Sequence, residues 1–125
     1  MKVCGSDNEY FDELKRLIKE HGKKEGLTAI ICRDGFNLEK IHSALGDEAP
    51  RLIAQDDSLP KEGVFFIELA LAKGLEFDNV IIADGDPESY PDTELGKHCL
   101  YTAMSRATRH LTILTKGVLA ANIKR

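Results

Sequence analysis

The sequence contains no tryptophan, and its three cysteines and four histidines are scattered along the chain. No two cysteines have the CxxC spacing of a zinc or redox motif, and their odd number argues against a disulfide framework. We therefore expect Cys4, Cys32 and Cys99 to be reduced thiols of an intracellular, cytoplasmic protein, with Cys32 and Cys99 as small core residues. No metal site is predicted.

The sequence also lacks an excess of positive charge, a long apolar run and a phosphate-binding loop. Its 17 lysines and arginines face 21 aspartates and glutamates, which gives a net charge of −4. This balance argues against a stand-alone electrostatic nucleic-acid binder, but it allows a minor share in a larger nucleic-acid site. The apolar runs fall far short of the roughly 20 residues of a membrane-spanning helix, so no membrane partner is expected. Neither GxxxxGK[ST] nor GxGxxG occurs, so the chain has no phosphate cradle of its own.

Short β-branched runs alternate with amphipathic segments along the 125 residues, which predict one domain over residues 1–125. Ser6 followed by Glu9 is a capping-box pattern, so the chain is expected to begin with a helix that stops near Gly22. Further helices are expected at 37–46 and 93–107. The expected strands are 27–33, 64–69, 80–83 and 110–115, with a short one near 51–55. Together these elements predict an α/β fold with a mainly parallel sheet covered on both faces.

The first candidate site is the segment around Lys73, Gly74 and Glu76, which lies between two predicted strands. Ligands of open parallel sheets bind beyond the carboxyl ends of the strands, and we expect the segment there. Gly74 allows a close backbone approach or an unusual dihedral angle. A lysine, a glycine and a glutamate would suit a phosphate edge or a ribose hydroxyl. In the alternative interpretation, Lys73-Gly74 is only a turn and Glu76 a solvated side chain.

The second candidate is Arg106, within "YTAMSRATRHLTIL". At about 100° per residue, Leu95, Cys99 and Ala103 form an apolar stripe on the predicted helix, and Arg106 projects onto that stripe in the last turn. One interpretation is a helix end that favours a cation through the macrodipole, with the side chain reaching water. The other is an arginine that binds an anion supplied from outside the domain. Arg109 is expected beyond the helix, before the closing strand.

Two stretches, "AKGLEFDNVIIAD" and "LYTAMSRATRHLTIL", resemble motifs V and VI of the UvrD/Rep-type superfamily 1 DNA helicases. Residues 73–78, KGLEFD, match motif V without a break. The matches to motif VI are Tyr101, Ala103, Met104, Ser105, Arg106, Ala107 and Leu111. The two motifs occur in the family's order, and the matches cover about residues 64–115.

This resemblance implies the second RecA-like motor domain of a helicase, a three-layer P-loop-type sandwich that here lacks Walker A. It implies that Arg106 is the arginine finger that reaches the γ-phosphate of ATP across a cleft. It also implies that Glu76 contacts the ribose and that Gly74 shapes the motif V loop. Lys73 is a further candidate nucleotide contact. Arg109 has no firm counterpart in the family and is expected to be structural, or a secondary phosphate or interdomain contact. Mg²⁺ would be held mainly by the N-terminal RecA-like domain, and single-stranded DNA would be bound by the longer helicase.

Two departures qualify the resemblance. The family often has Thr-x-His before Lys-Gly, whereas this chain has Glu68 and Ala70, as expected of a branch that resembles helicase IV. The remaining helicase motifs are missing, so we expect the C-terminal part of a longer, ATP-dependent enzyme that is inactive alone. The alternative is a truncated helicase-like protein that acts as a non-enzymatic interaction module. A small domain that binds nucleotide by itself is disfavoured, because no phosphate loop is present.

Overall fold

A computed structural model describes residues 2–23, 26–55 and 57–116 of the chain. Residues 117–125, the end of the predicted single domain, lie outside the described residues. The elements in chain order are β1 (Lys2–Cys4), α1 (Asp7–Gly22), β2 (Leu27–Cys32), α2 (Gly35–Leu45), β3 (Arg51–Leu52), β4 (Gly63–Glu68), α3 (Leu69–Ala72), β5 (Phe77–Ile82), α4 (Glu94–Met104) and β6 (Ala107–Lys116). A single 3₁₀ turn, Gly46–Glu48, follows α2.

The six strands form one sheet in the order β1-β6-β5-β2-β4-β3, and every pairing is parallel. Each parallel pair requires a crossover connection, and helices supply the longer ones. The predicted α/β class with a parallel sheet is confirmed.

Alternate residues of the strands point to opposite faces of the sheet and produce two apolar layers. On one face Ala29, Ile31 and Phe65 pack with residues of α3 and α4, while on the other Ile30 and Phe66 pack with residues of α1 and α2. All five of these strand residues are completely buried. The continuous apolar runs of the central strands therefore reflect burial on both faces, as expected of a parallel sheet.

Local chemistry sets the helix boundaries. The Ser6 hydroxyl accepts a hydrogen bond from the Glu9 amide at 3.2 Å, and α1 ends at Gly22 as expected. The Thr93 hydroxyl caps α4 in the same way, accepting from the Gly96 amide at 3.0 Å. These bonds satisfy amide donors that a helix N-terminus leaves free.

Three expectations about the elements are wrong. The chain begins with a strand, β1, whose partner β6 lies more than 100 residues away and leaves no local pattern in the sequence. The helix α4 is shorter than expected and is rotated, because Gly96, Leu100 and Ala103 face the core while Leu95 is 65% exposed. Cys99 is only partly buried, whereas Cys4 and Cys32 are buried; all three are free thiols.

Candidate functional site

The two motif segments meet at the amino ends of β5 and β6, not at the carboxyl ends as expected. Phe77 and Ala107, the first residues of these strands, are register partners, so the residues just before them lie side by side. The reason is topological, because a parallel strand is entered at its amino end. Residues 69–76, which include the four-residue α3, carry the chain from the carboxyl end of β4 back to the amino end of β5. We call residues 73–78 with 105–109 the amino edge.

Arg106 is half-buried at the amino edge and makes three side-chain hydrogen bonds. Its Nε donates to the Thr102 carbonyl at 3.0 Å, its Nη2 to the Ser105 hydroxyl at 3.1 Å and its Nη1 to the Leu75 carbonyl at 3.2 Å. The last bond links motif VI to the motif V loop. The Arg106 carbonyl also accepts from the Phe77 amide at 2.8 Å, which fixes the backbone at the start of both strands.

These contacts give Arg106 a structural role at the end of α4. The Thr102 carbonyl is one of the last in the helix and has no amide partner within it, and a cation there is favoured by the helix dipole. A guanidinium has five N–H donors, and three have acceptors among the described residues. Two N–H groups therefore remain for an acceptor from outside the domain.

Lys73, Gly74 and Glu76 are exposed beside this arginine. Gly74 has φ +80°, and a Cβ added there would have no atom within 4 Å, so the loop needs glycine for its dihedral angle and not for a close approach. Among the described residues, neither Lys73 nor Glu76 has a side-chain hydrogen bond or an ion pair. Both side chains are therefore available to an external group.

Asp78, the last residue of the motif V match, ties the amino edge to the neighbouring strand. Its Oδ2 accepts from the Leu27 amide at 2.8 Å, and a Cβ on Gly26, which has φ +102°, would lie 2.8 Å from the same oxygen. A bulge in the β5–β6 pairing places two residues of β6 opposite Asp78. One of them, Arg109, lies within β6 and not before it as expected. It is largely exposed, and its Nε is 3.9 Å from Asp78 Oδ1.

The opposite end of the sheet holds an open cavity of about 1000 Å³ that the sequence interpretation missed. Its lining combines carboxylates, two cations and apolar groups: Asp7, Tyr10, Phe11, Arg33, Asp34, Asn37, Lys40, Ile41, Ala44, Ala83, Asp84, Asp86, Pro87, Glu88, Ser89 and Pro91. We call these residues the carboxyl edge. Five carboxylates against one arginine and one lysine make it a poor match for a phosphate.

Asp84 is the centre of the carboxyl edge and is only 4% exposed. Its Oδ2 accepts from the Arg33 amide at 2.6 Å and from Asn37 Nδ2 at 2.9 Å, and its Oδ1 lies 3.4 Å from the Tyr90 hydroxyl. Burial raises the pKa of Asp84 to about 6, against the lowering effect of these hydrogen bonds. The carboxylate thereby joins the end of β2, the helix α2 and the loop before α4. The available sequence signal was an aspartate directly after a buried strand.

Arg33 lies beside Asp84, and its Nε is buried without a hydrogen-bond partner among the described residues. Among the described residues, no group of three or more histidine, cysteine, aspartate or glutamate side chains is arranged to hold a metal ion. None of the described helices is long and apolar enough to cross a membrane.

Comparison with known proteins identifies a family and a solved structure that are similar to this chain. The family model of the UvrD-like helicase C-terminal domain matches residues 63–114, which include both motif segments. The chain is similar to the crystal structure of the C-terminal domain of a possible DNA helicase from Lactobacillus plantarum WCFS1. The identity is 30%, the TM-score is 0.84, and the match covers 98% of this chain and 76% of that one. No curated protein sequence matches the chain.

A more distant likeness concerns the fold alone. The C-terminal domain of the DEAD-box protein Dbp5 matches with a TM-score of 0.56 and 16% identity, over 96% of this chain and 75% of that one. The fold is therefore the RecA-like one of helicase C-terminal domains.

Proposed function

The chain belongs to the family of UvrD-like helicase C-terminal domains, and from that premise we propose that its amino edge is one half of a shared ATPase site. In this proposal Arg106 binds the γ-phosphate of ATP held by an N-terminal RecA-like domain. Glu76 contacts the ribose, while Lys73 and Arg109 are secondary contacts. The observation that carries the proposal is the 3.2 Å bond from Arg106 Nη1 to the Leu75 carbonyl, which holds the arginine beside Glu76.

The chemistry of the amino edge suits a nucleotide phosphate. A guanidinium with two N–H groups remaining offers charge-assisted bonds to phosphate oxygens, and the neighbouring lysine adds a second positive charge. The chain lacks a phosphate loop, so the β- and γ-phosphates and Mg²⁺ are assigned to the N-terminal domain. We accordingly propose that the isolated chain hydrolyses no ATP and that a full helicase supplies the single-stranded DNA site.

In the transition state of phosphoryl transfer, charge develops on the γ-phosphate oxygens, and an arginine held across the cleft stabilises that charge. Arginine fingers are worth roughly 10³ to 10⁵ in rate. In the helicase that carries this domain, we expect Arg106→Ala to lower kcat for DNA-stimulated ATP hydrolysis by at least about 100-fold, with a smaller change in ATP affinity. Arg106→Lys should restore little, because an ammonium lacks the planar fork.

The experiment is single-turnover hydrolysis measured beside nucleotide titration, with circular dichroism to confirm the fold. Glu76→Ala is the matched variant on the same edge, and it should weaken nucleotide binding more than turnover. Near-normal turnover of folded Arg106→Ala would reject the ATPase role. Absence of turnover in the wild type as well, with binding to a partner domain lost in Arg106→Ala, would support the non-enzymatic interaction module instead.

A further inference from the structure

The side chain that precedes Arg106 in the sequence, Ser105, is hydrogen-bonded to the guanidinium on the side that faces α4. Ser105 is the C-terminal cap of α4, and its Oγ is 3.0 Å from the Thr102 carbonyl and 3.1 Å from Arg106 Nη2. The same Thr102 carbonyl is 3.0 Å from Arg106 Nε. Three groups thus form a closed ring of hydrogen bonds at the end of the helix.

The chemistry of the ring leaves only one arrangement of its protons. A carbonyl can only accept and a guanidinium can only donate, so the Ser105 hydroxyl must donate to Thr102 and accept from Arg106. The hydroxyl and the carbonyl together present two adjacent acceptors to Nε–H and Nη2–H. This is the bidentate geometry that an arginine fork prefers, provided here by the protein's own helix.

The ring has a consequence for the outward side of Arg106. With Nε and one N–H of Nη2 held against α4, and with Nη1 bound to the Leu75 carbonyl, the plane of the guanidinium is fixed by three acceptors. The remaining N–H groups then have fixed directions before any phosphate arrives. Such preorganisation avoids ordering a flexible side chain during the reaction.

We propose that Ser105 is a positioning residue that orients Arg106 for phosphoryl transfer, an inference that rests on the proposed function. Ser105 needs no contact with nucleotide for this role. Alanine at the position leaves the Thr102 carbonyl and removes the second acceptor, so Nη2 loses its partner on α4. Threonine keeps the hydroxyl and restores the ring.

The first measurement uses the 125-residue chain without nucleotide and observes the Arg106 Nε–H by ¹⁵N–¹H NMR. In Ser105→Ala we expect this proton to exchange with water about 5- to 10-fold faster, because α4 then offers the guanidinium one acceptor, the Thr102 carbonyl, instead of two. Ser105→Thr should return the exchange rate to that of the wild type. Thr108→Val is the control, since its hydroxyl bonds the Phe77 carbonyl at 3.2 Å on the same edge without touching Arg106.

The second measurement is ATP turnover in the helicase that carries the domain. We expect Ser105→Ala to lower kcat about 10-fold, with less than about a 2-fold change in the dissociation constant for ATP, and Ser105→Thr to restore kcat. An unchanged exchange rate of the Arg106 Nε–H in Ser105→Ala would overturn the proposal, whatever the turnover of Arg106→Ala. Faster exchange with unchanged turnover, while Arg106→Ala is impaired, would also overturn it. Normal turnover in Arg106→Ala would instead reject the shared ATPase site, and this inference with it.

Discussion

The two ends of the parallel sheet differ in how they hold their charged groups. At the carboxyl edge, Asp84 is buried and shares hydrogen bonds with three separate parts of the chain. At the amino edge, Lys73 and Glu76 are exposed, and Arg106 is held while two of its N–H groups remain. A buried group with partners inside the domain affects the stability of the fold, whereas an exposed charge is available to a partner. We therefore expect substitutions of the buried groups at the carboxyl edge to act on stability and, under the proposed function, substitutions of the exposed charges at the amino edge to act on turnover.

The largest expected stability effect is at Gly96, which joins α4 to the carboxyl edge. An alanine Cβ there would lie 1.9 Å from the Pro91 carbonyl oxygen, so the backbone would have to move. We expect Gly96→Ala to lower the free energy of unfolding by about 3 kcal/mol or more, as severe overpacking does. Urea denaturation followed by circular dichroism measures this change.

The matched control is Gly22→Ala in α1, where an added Cβ has no atom within 4 Å. It should be neutral or stabilising by up to about 1 kcal/mol through helix propensity. If Gly96→Ala were as stable as Gly22→Ala, the tight packing of the carboxyl edge would be disproved.

The next effect concerns Asp84 and depends on pH. Its folded-state pKa of about 6 is higher than the ordinary aspartate value of 3.8, so the folded protein binds the proton more tightly than the unfolded chain. The contribution of this group to stability is therefore fully present below about pH 4 and is lost as the pH rises to about 6. From the shift, the loss is on the order of 3 kcal/mol.

Asp84→Asn removes this titration and keeps an oxygen acceptor for the Arg33 amide. The variant should gain stability relative to the wild type between about pH 4 and pH 7, and the gain should follow the titration of one group. Urea denaturation of both proteins across this range measures the difference, in which the other carboxylates cancel. A difference that does not change with pH would show that Asp84 has an ordinary pKa.

The smallest expected effect is at the amino edge. The Arg109 side chain is 69% exposed and lies 3.9 Å from Asp78, and such exposed pairs contribute little. We expect Arg109→Ala to change the free energy of unfolding by less than about 0.5 kcal/mol. Asp78→Ala should cost more, about 1 to 2 kcal/mol, because the Leu27 amide would lose its acceptor. A large loss of stability in Arg109→Ala would contradict the difference between the two edges.

Sequence reasoning recovered the parts of the molecule that local chemistry determines. The Ser6 cap, the glycine that ends α1 and the apolar runs of β2, β4, β5 and β6 are all readable from neighbouring residues. Both motif segments are short and continuous, so the sequence identified the family and the residues that meet at the amino edge. Their roles in nucleotide binding stay predictions.

The features that the sequence could not reveal depend on contacts between distant residues. The strand β1 exists through its pairing with β6, more than 100 residues away. The orientation of α4 places Gly96 against Pro91, a contact that helical periodicity does not reveal. The Asp84 cluster joins residues up to 57 positions apart, Arg33 and Tyr90 being the outermost. The position of the two motif segments at the amino edge was not predictable, because the sequence does not show that the connection containing the very short α3 is a complete crossover.

The helix α4 connects these two ends as a rigid rod. Its first turn rests on Pro91, which lines the cavity and whose carbonyl also accepts from the Thr93 amide at 2.8 Å. Its last turn binds Arg106 through the Thr102 carbonyl, and the 11 residues of the helix span about 16 Å. Because Gly96 leaves no space against Pro91, the start of α4 cannot move toward the cavity without displacing that proline. A single helix thus joins the wall of the cavity to the group that binds one guanidinium.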